Sequence, residues 1–303
     1  MKILIAGGSG LIGSALTRHY MEKGQEVYIL SRRGSTAGLP AGAKGVEWDA
    51  QSAGGWGDLM NEMDVVINLT GENLGAGRWT EERKQRFYTS RIQSGKALIE
   101  AMRQAARKPA VLVQSSAVGY YGDGGDQVLE ESSPPGKDFL ARLCVDWEES
   151  TREAEFMGVR RIVLRTGVVL AEGAEVLNRL ILPFRLFVGG PLGSGRQWLP
   201  WIHMADVVGA VDYLVENSNY DGIFNLSAPQ PVQNATFGKT LARILHRPYW
   251  IPVPAFALKL VLGEMSKLVL EGQRAIPKRL LEAGYVFRFV EHEAALRDLL
   301  IKG

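Results

Sequence analysis

The first thirteen residues, MKILIAGGSGLIG, constrain the fold more than any other stretch of the chain. "KILIA" (2–6) is an apolar, β-branched run without polar alternation, the pattern of a strand buried on both faces. "GLIGSALTRHYMEKG" (10–24) then reads as an amphipathic helix closed by a glycine. A strand passing through a glycine turn into a helix is the start of a nucleotide-binding β–α unit. Gly7 permits the tight turn, Gly10 lets the backbone approach a pyrophosphate, and Gly13 lets the helix pack on the strand. Unpaired amides and the positive end of the helix dipole favour an anion there. Gly7, Gly8, Ser9, Gly10, Leu11, Ile12 and Gly13 are therefore the expected cofactor-binding loop.

The alternation continues along the chain. "EVYILS" (26–31) and "VVINLT" (65–70) read as strands, and a helix over roughly 80–107 stops before Pro109. "VLVQSS" (111–116), a helix from about 138 to 157, and "RIVLRTG" (161–167) follow. This order predicts an α/β fold, a doubly wound parallel sheet of the Rossmann kind. After about residue 170 the texture changes. "FRLFVGGPLGSGRQWLPWIH" (184–203) is rich in Gly, Pro and aromatics and reads as a long loop or lid. From 250 on, prolines separate short apolar helices. The expected division is a cofactor-binding domain over 1–170, with 204–227 returning to it, and a smaller C-terminal α/β substrate-binding region over 171–303.

The end of the second strand addresses the choice of cofactor. An NAD site places Asp or Glu there, on the ribose 2′-OH. Here the strand ends "ILSRRG", with Ser31, Arg32 and Arg33 in that place. Two guanidiniums and a hydroxyl suit a 2′-phosphate, so NADP(H) is favoured. Asp49 in "WDA" is placed near the adenine, and Asn68, Leu69, Thr70 and Gly71 end a strand on the cofactor side. The net charge of +2 argues against a dedicated nucleic-acid or anionic-membrane binder. The one cysteine, Cys144, excludes an intrachain disulfide, argues against a zinc site and fits a reducing compartment. With the first strand at Lys2 and no apolar run of membrane-spanning length, a cytoplasmic protein without a metal is expected.

Several stretches together carry a resemblance: "GGSGLIG", "NLTGEN", "RWTEERKQRFYTSRIQSG", "SSAVGYYGD", "WEE", "LRTGVVL", "LPFRLFVGGPLGSGRQWLPWIH" and "LEGQRAIPKRLLEAGY". Over nearly its whole length the chain resembles the extended short-chain dehydrogenase/reductase superfamily, and within it the atypical epimerase-family proteins of the YfcH type. The resemblance implies an NADP(H)-binding oxidoreductase or nucleotide-sugar epimerase-like enzyme acting on a small-molecule substrate. By analogy it also implies a possible homodimer. It further implies cofactor contacts at Arg91, Ser115, Thr166 and Val168. In that superfamily the acid–base group is a Tyr followed four residues later by a Lys, which lowers the phenol's pKa. None of the nine tyrosines here has Lys four positions on. The matching positions are Leu140 and Cys144, and the third member, a Ser or Thr, falls on Ala117, beside Ser115 and Ser116.

Substitutes for the missing pair are few. Tyr121, Tyr120 and Ser116 sit in the loop after a strand and are the catalytic candidates, while Asp123 and Asp126 read as turn residues. Glu72, Arg196, Trp198, Trp201 and His203 are candidates for the substrate wall, with Asn73 and Phe187 nearby. His203 is either an acid–base group or structural, and Asp206 a helix cap. Cys144 reads as a small buried hydrophobe. Two function classes stay open: an enzyme with a non-standard acid–base group, and an NADP(H)-sensing or scaffold protein that kept the site without the chemistry.

Overall fold

The computed structural model describes residues 1–32, 34 and 36–301. Strand β1 (Lys2–Ala6) is buried from Ile3 onward and leads into helix α1 (Leu11–Glu22). Strands β2 (Glu26–Ser31), β3 (Lys44–Glu47) and β4 (Val65–Asn68) follow. Helix α2 (Glu81–Gln104) starts at Thr80, whose hydroxyl accepts from the Arg83 amide. Next come β5 (Val111–Ala117), a single 3-10 turn at Val118–Tyr121, and β6 (Val128–Leu129). The expected helix over 138–157 is interrupted. It forms α3 (Phe139–Glu149), capped by Asp138, and the short α4 (Glu153–Phe156). Ser150 lies at the break and donates to the Trp147 carbonyl at 2.7 Å, a side-chain bond that competes with continued helix.

Strands β7 (Arg160–Thr166) and β8 (Val168–Leu170) lead to α5 (Glu175–Arg185). The expected loop 184–203 thus begins inside a helix and ends as β9 (Trp198–Leu199) and β10 (Trp201–His203). Helix α6 (Met204–Glu216), β11 (Gly222–Leu226), β12 (Val232–Gln233) and α7 (Asn234–Leu245) come next. The chain finishes with α8 (Ala255–Leu262), α9 (Lys267–Leu270), β13 (Arg274–Ala275), α10 (Lys278–Glu282) and α11 (His292–Leu300).

Seven strands form one parallel sheet in the order β11-β7-β5-β4-β1-β2-β3. Apolar side chains cover both of its faces. One layer joins Ile3, Ile5, Leu16 and Tyr20 to Val207, Val211 and Leu214 of α6. The other joins Leu4, Ala6 and Leu30 to Leu98, Ile99 and Met102 of α2. A third cluster, including Leu177, Ile181, Trp201, Phe237 and Leu296, forms the core of the C-terminal region. The two regions are tied together at Asp206, whose buried carboxylate accepts the backbone amides of Arg288 at 2.6 Å and Phe289 at 3.0 Å. Among the described residues no helix is long and apolar enough to cross a membrane.

Candidate cofactor cleft

Strand order reverses beside β1, with β2 on one flank and β4 on the other. A cleft of about 830 Å³ opens at the carboxyl ends of these strands, the place where open α/β sheets bind ligands. Gly7, Ser9 and Gly10 form its floor. Leu30, Ser31, Arg32 and residues 48–51 form one wall, and residues 69–73 with Arg86, Thr89 and Ser90 of α2 form the other. Gly7 has φ 80°, and a Cβ there would lie 3.1 Å from the Leu69 backbone. A Cβ on Gly13 would overlap the Gly7 carbonyl oxygen, so the helix start and the turn pack this closely only with glycine. No side chain caps α1 and its first turn carries no acid, so its amides stay free for an anion. Gly8, Ile12 and Gly13 stand behind the floor rather than on it, and Leu11 is exposed.

Among the described residues, two hydroxyls in this cleft lack partners: Ser31 Oγ and Thr70 Oγ1 are shielded from solvent and hydrogen-bonded to none of them. Leaving such an atom unpaired costs about 1–3 kcal/mol, and here the two atoms flank the glycine floor, where a bound polar group could satisfy them. Arg32 is exposed at the rim, while Arg33 lies outside the described residues. Asp49 lines the cleft but folds back on its own loop. Its Oδ1 accepts the Gln51 and Ser52 amides at 2.8 Å, and these bonds hold its pKa below the usual carboxylate value. Asn68 Nδ2 donates to Gln114 at 2.9 Å and its Oδ1 accepts from the Thr70 amide at 3.2 Å, which fixes the turn after β4.

Arg91 does not reach the cleft. It is buried behind Gly71, donates to the Phe87 and Glu72 carbonyls at 3.1 Å, and lies over the Trp147 ring. Burial lowers its pKa to about 10. Its place is therefore beneath the 69–72 loop, which it braces. Glu72 does line the cleft, with a carboxylate oxygen 3.4 Å from Arg86 Nε. Ser115 and Thr166 stand at the carboxyl ends of β5 and β7, and Val168 opens β8 opposite Trp201.

The catalytic candidates are held differently. Ser116 donates to Glu148 Oε1 at 2.7 Å. Glu148 in turn receives Arg165 through both oxygens, at 2.9 and 3.0 Å. Arg165 donates to the Tyr121 hydroxyl at 3.1 Å, and that hydroxyl donates to Asn225 Oδ1 at 2.6 Å. All of these side chains are buried, and burial pushes the Tyr121 phenol up to about 12. Burial alone would lower the Arg165 pKa, but the Glu148 bonds hold it above the usual value. Ser116 and Tyr121 thus join a buried network, and neither lines the cleft. Tyr120 is half-buried, its ring centroid 3.3 Å from the Arg165 guanidinium carbon. Leu140 packs in an apolar cluster with Trp79, Phe87, Leu143 and Met265. Cys144 is buried, and burial pushes its thiol up to about 12, the state of a small hydrophobe.

The expected substrate wall divides. Trp201 is fully buried, with its indole donating to the Gln230 carbonyl at 2.9 Å, so it belongs to the C-terminal core. His203 is buried too. Its Nδ1 accepts the Ala205 amide at 3.1 Å as the cap of α6, and burial lowers its pKa. Arg196 is exposed, and Trp198 is half-buried with its indole on Asp126 at 2.8 Å. Asp123 accepts the Gly272 amide at 3.4 Å.

Sequence reading missed Trp48, Arg86, Thr89 and Ser90 among the cleft residues. The last three share one face of α2 at a spacing of three and four, a signal present in the sequence. It also missed the buried Glu148–Arg165 pair, whose one clue is a cation inside the apolar run "RIVLRTG".

The chain is similar to known proteins over nearly its whole length. The model of the NAD dependent epimerase/dehydratase family matches residues 3–227, and that of a domain of unknown function, DUF1731, matches residues 253–299. Epimerase family protein YfhF of Bacillus subtilis is 40% identical over 301 residues, spanning 99% of this chain and 98% of its own. Epimerase family protein SDR39U1 of Mus musculus is 37% identical over 99% of this chain and 100% of its own. The crystal structure of human epimerase family protein SDR39U1 with NADPH aligns with a TM-score of 0.88 at 34% identity, over 99% of each chain. UDP-glucose 4-epimerase of Thermus thermophilus, solved with NAD, aligns at 0.78 and 19% identity over 97% of this chain and 96% of its own, a likeness of fold.

Proposed function

This chain belongs to the NAD dependent epimerase/dehydratase family, and from that premise we propose that it binds NADP(H) and acts as an oxidoreductase or epimerase on a small molecule. The observation that carries the cofactor is the pair of unpartnered hydroxyls, Ser31 Oγ and Thr70 Oγ1, in a glycine-floored cleft with Arg32 at its rim. The likeness to a relative solved with NADPH supports the same choice. The first turn of α1 holds the pyrophosphate, Ser31 and Arg32 the 2′-phosphate, and Thr70 the far half of the molecule. Arg33 is a further candidate for the 2′-phosphate. When bound, the nicotinamide supplies reversible hydride transfer. Tyr120, with Arg165 under its ring, is the acid–base candidate, because Ser116 and Tyr121 are bonded within the protein.

A specific observation favours a second reading, a protein that holds NADP(H) without turnover: Leu140 and Cys144 place hydrocarbon and a buried thiol where the superfamily has its Tyr and Lys. The groove of about 730 Å³ between α2 and the α3–α4 segment, with Phe156 81% exposed beside it, suits a homodimer contact. A cytoplasmic setting accords with the single buried thiol.

Equilibrium titration with NADPH and NADH tests the cofactor. The parent is expected to prefer NADPH, and Arg32→Ala to weaken NADPH by about 10–100-fold with little change for NADH. Equal losses for both would remove the 2′-phosphate assignment, and a parent preference for NADH would remove the cofactor choice.

A further inference from the structure

One carboxylate stands engaged only by arginines in the wall of a cleft otherwise suited to anions. Among the described residues, the charged groups that line the cleft are Arg32, Asp49, Glu72 and Arg86. Asp49 is turned onto its own loop, where the Gln51 and Ser52 amides satisfy it. Glu72 has no such loop. It follows Thr70 by two residues, on the wall opposite Ser31 and Arg32, and its carboxylate lies between two arginines of α2. Arg86 Nε is 3.4 Å from one oxygen, and Arg83 Nη2 is 3.8 Å from the other.

The two arginines are held differently. Arg86 is exposed, and its Nη1 reaches Glu82, also exposed, at 2.6 Å. Ion pairs in such surroundings are weak, so they place the guanidinium without fixing it. Arg83 lies inward. Its guanidinium sits over the Phe87 ring and donates to the Arg78 and Asn73 carbonyls at 3.4 Å. Its Nε is shielded from solvent and has no partner among the described residues. Arg83 thus brings a cation and an open donor close to a carboxylate that is not yet within hydrogen-bond distance.

A diphosphate on Gly10 and the first turn of α1 would share the cleft with Glu72. Like charges oppose binding unless the carboxylate is neutralised, and a guanidinium grips phosphate oxygens best when no carboxylate engages it. We propose that Arg86 is a clamp on the cofactor's diphosphate, and that Glu72 passes from Arg86 to Arg83 as the cofactor binds. The proposal rests on the NADP(H) reading above. Without ligand, Glu72 holds Arg86 at the wall. With the diphosphate in place, Arg86 turns to its oxygens, and Glu72 closes the 3.8 Å gap to Arg83, whose Nε donates to it. The carboxylate is neutralised in both states, by a different arginine in each. Arg32 acts on the 2′-phosphate at the other wall, whereas Arg86 acts on a group that NADPH and NADH share.

Two fragments of the cofactor test this. ADP-ribose carries the diphosphate without the 2′-phosphate, and 2′-AMP carries the 2′-phosphate without the diphosphate. Both, with NADPH and NADH, are titrated into the parent and its variants by calorimetry, and melting temperatures are recorded. Arg86→Gln should weaken ADP-ribose, NADPH and NADH alike, by about tenfold, with 2′-AMP affinity and melting temperature unchanged. Arg86→Lys should recover part of the loss. Glu72→Gln should tighten ADP-ribose by about threefold in the parent and by less beside Arg86→Gln, because part of its effect is to release Arg86. Failure of the parent to bind NADPH refutes the cofactor reading and this proposal with it. NADPH binding with ADP-ribose indifferent to Arg86→Gln overturns the clamp alone. A loss confined to 2′-AMP and NADPH also overturns it, because Arg86 then serves the 2′-phosphate. An equal gain from Glu72→Gln in both backgrounds overturns the exchange and leaves Glu72 as a source of repulsion only.

Discussion

The floor of the cleft follows β1 and the turn at 118–121 follows β5, with β4 between them in the same sheet, yet they treat polar atoms in opposite ways. In the cleft, Ser31 and Thr70 hold shielded hydroxyls without partners among the described residues, and the first turn of α1 has no capping side chain. In the turn, Ser116 and Tyr121 are bonded to Glu148, Arg165 and Asn225. A site that awaits a ligand leaves bonding capacity open, whereas a structural network completes its own. By this measure the first region leaves bonding capacity open and the second is an internal brace.

The largest test of that contrast is Arg165→Met. It leaves Glu148 buried without its cation and should cost about 3–5 kcal/mol of stability in chemical denaturation. A loss under about 1 kcal/mol would mean that the brace is not one. Tyr121→Phe comes next. Removing one buried hydroxyl with two partners should lower stability by about 1–3 kcal/mol and leave NADPH affinity unchanged. Weaker NADPH binding at unchanged stability would move Tyr121 from brace to site. The smallest stability effect belongs to Thr70→Val. Here stability should stay within about 0.5 kcal/mol of the parent while NADPH affinity falls by about 5–10-fold. A destabilised Thr70→Val with normal affinity would erase the distinction between the regions.

Much of the cleft was legible in sequence because its signals are local. The strand, the glycine turn and the helix lie within the first 24 residues, and "ILSRRG" and "NLTG" each end their own strand. The brace was not legible, because its partners are distant in the chain. Tyr121 and Asn225 are 104 residues apart, and Ser116 and Glu148 are 32 apart. Trp201 and His203 misled for a related reason. Aromatic, Gly and Pro texture suggests a lid, but register against β8 turns both residues inward. Strands β3 and β11 were missed, and both lie at edges of the sheet; β3 is also short and buries no residue, so its apolar pattern is weak. The break at Ser150 depends on one side chain competing with the backbone, which periodicity does not register.

The packing of α3 also bears on how the chain could change. Leu140 and Cys144 lie against Gly119 and the Trp79–Met265 cluster, in space that is already filled. A lysine at 144 would enter a dry interior whose near carboxylate, Glu148, is held on both oxygens by Arg165. Leu140 is half-buried at the edge of the cluster that joins the loop before α2 to the segment after α8, so a tyrosine there would lie against Trp79 and Met265. Restoring the usual pair is therefore not two codons away, because the surroundings must be rebuilt with it.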